Sequence, residues 1–135
     1  MPTVTFVVPG TPVAQPRPRV TVKGSYGRAY VPSKHPVHAW RERIALCATA
    51  ARHPEWPLVK GVPLWLTIRF IFTRPQSVER EYHTITPDID NLAKAVLDAM
   101  SGSEGAAMVS DAAVVGLNVH KKYGLKASAE VEVKW

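Results

Sequence analysis

Cysteine is nearly missing from this sequence. Cys47 stands alone among 135 residues, which excludes an intrachain disulfide and any zinc site built from several thiolates. No apolar run approaches the roughly 20 residues that a membrane-crossing helix needs. The opening MPTVTFVVPG has neither a charged leader nor a cleavage-site pattern, so no secretory signal is read there. These absences fit a cytoplasmic protein. Acidic side chains are also scarce: eleven Asp and Glu face seventeen Lys and Arg, for a net charge of +6. That balance favours a polyanionic partner without requiring one, because many basic proteins bind no nucleic acid.

What is present suits a folded chain. Apolar residues make up 46 %, too many for a disordered one. The length suits one domain, residues 1–135, with a hydrophobic core of its own. Neither an internal repeat nor a long linker divides it. Thr3 to Val8 reads as a strand, ended by Pro9-Gly10. PGTPVAQPRPR is too proline-rich for a helix or a central strand, and Val20 to Tyr30 reads as a loose hairpin around Gly24 and Gly27. From Val37 to Arg52 the period becomes helical, with Trp40, Ile44, Cys47, Ala48 and Ala51 on one face. VPLWLTIRFIF then opens the clearest strand, placing Val62, Leu64, Leu66, Ile68, Phe70 and Phe72 on one side at period two. Residues 73 to 85 read as an exposed polar loop. Val114 to Tyr123 and Ser128 to Lys134 read as two strands joined by a turn at Gly124. The expected product is an α+β fold, with a mixed or antiparallel sheet and two main helices packed on it.

One stretch asks for more than a core. TPDIDNLAKAVLDAM, residues 86 to 100, carries the apolar stripe Ile89, Leu92, Ala93, Val96, Leu97 and Met100. It also opens on Asp88 and Asp90, with Lys94 a turn later. Inside a helix the two aspartates would diverge by about 200°, at about 100° per residue. If the chain is extended through residue 88 and turns helical near residue 90, they can point the same way, with Lys94 on the same side. Capping and dipole interactions explain one acid at a helix start. Two like charges at one junction repel, and a hard divalent cation such as Mg²⁺ would offset that. Asp111 in VSDAAVVGLNV, just ahead of a strand, is a third acid, and Glu104 among glycines and serines is its weaker competitor.

In combination these blocks are distinctive. PDIDNLAKAVLDAM followed by VSDAAVV resembles the RusA family of Holliday junction resolvases, with its D-x-D-N-x-x-K helix start and later D-x-x-V. PGTPVAQPRPRV is similar to the G-x-P…R-P-R opening of phage-type members. The resemblance implies a dimeric α+β enzyme that cuts four-way DNA junctions with Mg²⁺ or Mn²⁺. It implies that Asp88, Asp90 and Asp111 bind the metal and that Lys94 is a catalytic lysine. Two positions depart from the pattern: Ser110 stands where a first of two adjacent acids is common, and Pro87 where a basic residue often precedes the first aspartate.

Phosphodiester hydrolysis needs an activated water, an in-line geometry and charge stabilisation at the phosphate, all of which carboxylate-bound Mg²⁺ supplies. Lys94 would add electrostatic stabilisation, and Asn91 would orient a ligand from behind. Arg17, Arg19, Lys23, Arg28 and Lys34 form one basic region, and His120, Lys121 and Lys122 another, both suited to phosphates irrespective of base sequence. Tyr26 and Tyr30 could stack on bases. A four-way junction has two-fold symmetry, so a homodimer is expected, with the apolar strand at residues 62 to 72 as a candidate interface. Two other readings stay open: a basic DNA-binding module without catalysis, and a metal nuclease for other branched DNA.

Overall fold

The period-two strand is the axis of the molecule. In the computed structural model the described residues are 1–23, 26–101, 107–108 and 110–135; within 19–28 the side chains of Arg19, Thr21, Lys23, Tyr26 and Arg28 are outside that set. The elements are β1 (Thr3–Pro9), β2 (Arg19–Lys23), β3 (Tyr26–Tyr30), α1 (Val37–Ala50), β4 (Leu64–Thr73), α2 (Ile89–Met100), β5 (Val114–Gly124) and β6 (Ser128–Lys134). A 3₁₀ turn, Asp111–Ala113, leads into β5. The main sheet has the order β1-β6-β4-β5. β4 runs parallel to β5 and antiparallel to β6, so the sheet is mixed and the fold is α+β.

Alternation places the core on one face of that sheet. Leu64, Leu66, Ile68, Phe70 and Phe72 of β4 are buried, as are Val4, Phe6 and Val8 of β1 and Ala129, Val131 and Val133 of β6. Trp40, Ile44 and Ala48 of α1 and Leu92, Val96 and Met100 of α2 close over them. Full burial of each large side chain in this set contributes about 1.5–3 kcal/mol. The apolar face of β4 is therefore committed to the core, which removes it as a dimer interface. On the opposite face β4 presents Trp65, whose ring lies over Gly116 of β5 so closely that a Cβ there would overlap it.

Three sequence expectations change. β5 and β6 do not pair with each other: β4 lies between them, and residues 125–127 pass over its end, where the Arg74 amide donates to the Gly124 carbonyl at 3.1 Å. Ile89 is 40 % exposed rather than part of the core stripe, and Ala95 and Ala99 are buried instead. The loop at 73–85 is not wholly exposed, because His83 is buried within it.

The N-terminal arm leaves β1 at Gly10, whose φ of +111° lies in the region glycine adopts without strain. Its amide donates to the Ala127 carbonyl, and the Arg43 guanidinium donates to the Pro9 carbonyl, so the turn is held from both sides. β2 and β3 form the separate two-stranded hairpin, with Gly27 inside β3 opposite Val22; Gly24 lies outside the described residues.

Candidate active site at the start of helix α2

The backbone turns helical one residue earlier than the spacing suggests. Asp88, at φ −72° and ψ 143°, is extended, and the helix begins at Ile89. Asp88 thus occupies the N-cap position and Asp90 is the second helical residue. A capping aspartate normally accepts from an amide of the first turn, yet Asp88 makes no side-chain capping bond. Asp90 Oδ1 accepts only from the adjacent Asn91 amide, at 2.9 Å. Both are exposed. Among the described residues neither forms an ion pair, and the helix dipole alone favours their charge. Capping does not explain two acids here.

Both aspartates line one open groove of about 830 Å³, together with His83, Ile85 and Lys121. Lys121 is anchored rather than solvated: its ammonium donates to the carbonyls of Ile85 and Pro87, each at 2.8 Å. Those carbonyls belong to the segment that delivers Asp88. A side chain from β5 thereby fixes the approach to the junction, and the expected DNA-contacting Lys121 is already engaged by the protein's own backbone.

His83 is the buried polar side chain of the described residues. Its ring stacks on Phe72 at 4.0 Å and meets Tyr123 edge-on at 5.1 Å. Burial, with the positive charges of Lys121 and, to a lesser degree, Arg80, pushes its pKa below the usual histidine value, against the opposing effect of a hydrogen bond to its own backbone. Sequence patterning missed it because one inward-facing residue in a polar loop has no period; the adjacent aromatic Tyr82 was the only local cue.

The other expected residues are placed less uniformly. Lys94 is exposed and pairs with Asp98 at 3.4 Å, not with Asp90. Asn91 is half-buried, and its carbonyl accepts from the Gln15 amide at 2.9 Å, which stitches the N-terminal arm to the first turn of α2. Exposed Arg17 lies two residues beyond that contact along the arm. Lys34 is exposed and Lys122 half-buried. The side chains of Arg19, Lys23, Arg28 and Tyr26, and the whole of Glu104, lie outside the described residues. Asp111 is exposed at the start of the 3₁₀ turn, where Ser110 Oγ accepts from the Ala112 amide at 3.2 Å, and this turn packs on α2. Among the described residues no three His, Cys, Asp or Glu side chains stand together at metal-holding separations, so Asp111 is not gathered with Asp88 and Asp90 into a closed cluster.

The comparison with known proteins decides the lineage. Residues 9–134 match the family model described as Endodeoxyribonuclease RusA. The chain belongs to the RusA family of endodeoxyribonucleases. The match takes in the arm, both helices and the last strand, as well as the Asp88–Asp90 junction. The chain is also 27 % identical to an uncharacterized protein, YqaN, of Bacillus subtilis (strain 168), over 97 % of this chain and 95 % of that protein. Among the described residues no helix is long and apolar enough to cross a membrane.

Proposed function

We propose that this chain is a metal-dependent endonuclease that resolves four-way DNA junctions by paired, symmetric nicks, with its site at the start of α2. The observation that carries the reading is that Asp88 and Asp90 are exposed in one groove, without a capping or ion-pair role among the described residues. Their donors fit Mg²⁺ or Mn²⁺, hard cations that take one or two carboxylates and fill the remaining positions with waters and substrate phosphates. Asp88 and Asp90 would hold the ion; Asp111 is the third acid that the family resemblance implies, and it would have to close on them when the ion binds, because it is not gathered with them here. Such an ion, when bound, lowers the pKa of a water and draws charge from the phosphate.

The chain's own residues supply the rest. Lys94, one turn beyond Asp90 and solvent-facing, brings a positive charge to the scissile phosphate and the departing oxygen. Lys121 keeps the segment before Asp88 in place, which limits the freedom of the carboxylates. Asn91 ties the arm to this turn and supports Asp90 from behind. Arg17 on the arm and Arg19 at the start of β2, with Lys23, Arg28, Lys34 and Lys122, would meet the DNA backbone through phosphate contacts that are indifferent to base sequence. Paired nicks on a two-fold symmetric substrate call for two copies of the site, hence a homodimer.

The test compares labelled four-way junctions, flaps and linear duplex, each with Mg²⁺ or with EDTA. Symmetric nicking of the junction in Mg²⁺, none in EDTA, and loss of cutting with retained binding in Asp90→Asn are expected. Equal cutting in EDTA would remove the carboxylate–metal reading. Faster cutting of flaps would redirect the function to other branched DNA.

A further inference from the structure

β5 leaves one edge of the sheet open. β4 lies on one side of it, and among the described residues no strand lies on the other. The Tyr123 amide donates away from β4, to the Glu81 carbonyl at 2.8 Å, and Tyr82 bridges Lys122. Backbone groups alternate in direction along a strand. Those of Leu117 and Val119 therefore also face outward, and they have no backbone partner there among the described residues. Val115 is an extra residue against the β4 ladder, a bulge that bends the strand. The free stretch runs from that bulge to the bridge at Lys122. Natural sheets blunt such an edge with charges or proline; residues 116–120, GLNVH, contain no Asp, Glu, Lys, Arg or Pro.

Residues opposite one another in a ladder share a face of the sheet. Leu117 and Val119 lie opposite Leu66 and Ile68, on the core face, yet Leu117 is 46 % exposed. The other edge of the sheet differs: Val4, Phe6 and Val8 on the core face of β1 are all buried within the chain itself. Beside the start of β5 an apolar cavity of about 640 Å³ opens between Leu58, Val62, Met108, Ala113 and Val115. What would complete this edge is a strand with an apolar side chain for Leu117 and a large side chain for the cavity.

We propose that a second copy of this chain supplies both, its β5 pairing antiparallel with this β5 about a two-fold axis at Asn118. Among registers that set outward-facing residues opposite one another, this one clears both the bulge and the Lys122 bridge. Leu117 then faces Val119 of the second copy and exchanges backbone hydrogen bonds with it, while Asn118 faces its own copy. Each copy carries a net charge of +6, yet no charged pair meets along residues 116–120. The strip from Val115 to Lys121 is about 23 Å long and, with α2 behind it, about 20 Å deep, on the order of 450 Å² of flat area per copy. A stable interface takes about 600–1,000 Å² per copy, so strand pairing alone falls short and the cavity has to be filled as well. Lys122 stands opposite Val114 of the second copy, which brings Tyr82, 57 % exposed, to the Val115 side of that copy's cavity. The axis is perpendicular to the sheet, so both helix layers and both Asp88–Asp90 grooves lie on one side of the dimer, with the Lys121 anchors about 20 Å apart along the strands. Packing the open faces of two sheets would instead set the grooves on opposite sides and bury Arg69 and Glu130. This interface deepens the reading of the chain as a two-fold nuclease and rests on it.

Crosslinking tests the register. Residues facing each other without a mutual hydrogen bond have Cα atoms about 4.5 Å apart, within disulfide reach. Asn118→Cys in a Cys47→Ser background should give a disulfide-linked dimer on mild oxidation. Thr5→Cys on exposed β1, in the same background, should stay single. Leu117→Lys should keep the wild-type circular dichroism and weaken self-association, measured by sedimentation, by about 30-fold or more, as loss of a central interface residue does. If Leu117→Lys does not fold, the crosslink decides. A wild-type dimer whose Asn118→Cys variant does not crosslink would overturn this interface and leave the two-fold reading standing. A wild type that stays monomeric, both free and on an uncut junction with Ca²⁺ replacing Mg²⁺, would overturn the interface and the homodimer together; nicking of the junction in Mg²⁺ by that monomer would still uphold the acidic groove as the nuclease site.

Discussion

Lys94 separates a stabilising role from a chemical one with a single substitution. Its side chain is 59 % exposed and its partner is Asp98, at 3.4 Å. An i,i+4 pair on a solvated helix face is worth about 0.2–0.5 kcal/mol, and truncation leaves no hole in the core. A residue that stabilises developing charge at a phosphate is worth about 10²–10³ in rate. Lys94→Ala is therefore expected to unfold at almost the wild-type temperature and to lose nearly all single-turnover cleavage at saturating junction and Mg²⁺. Cleavage within a few-fold of wild type would reduce Lys94 to a surface ion-pair partner. The same separation was legible in the sequence, because Lys94 lies off the apolar stripe. The choice of Asp98 over Asp90 was not: both are four residues from Lys94, and spacing alone gives them equal claim. The greater burial of Asp98, at 23 % exposure, is a property of packing.

At the level of elements, the junction ahead of α2 owes its shape to a strand far away in the chain. Lys121 of β5 is separated from Ile85 by 36 residues and from Pro87 by 34, and it holds both carbonyls. Lys121→Met keeps the aliphatic stem and removes these bonds. Hydrogen bonds to a charged group contribute about 1.5–3 kcal/mol, so denaturant unfolding should report a loss in that range, with weaker Mg²⁺ binding. A surface lysine serving DNA would behave otherwise: stability would hold, and the salt slope of binding would shrink by about one. Sequence reading located β4, β6, both helices and the extended-then-helical turn at Asp88, since each has a period or a breaker of its own. It could not see the Lys121 clamp or the burial of His83. Both depend on which segments the sheet brings side by side, and no local pattern encodes that.

The arrangement of the whole chain sets the N-terminal arm beside the first turn of α2, which carries Asp90. The arm from Thr11 to Pro18 is tied to α2 by the Gln15–Asn91 contact and continues into the β2–β3 hairpin. Arg17→Ala with Arg19→Ala should weaken junction binding and lower its salt slope by about two, measured across a salt series; an unchanged slope would mean the arm does not touch phosphate. The strand order was the least legible feature. Two neighbouring strands with a short connection usually pair, yet β4 is inserted between β5 and β6, and β6 in turn separates β4 from β1. That insertion has a consequence for the birth of the protein. Residues 128–134 supply the strand that joins the first element to the middle of the sheet, on both of its edges. Until they leave the ribosome, β1 has no partner and β4 is paired on one edge alone. A chain interrupted before β6 leaves two unpaired edges, a substrate for proteases and aggregation rather than for folding.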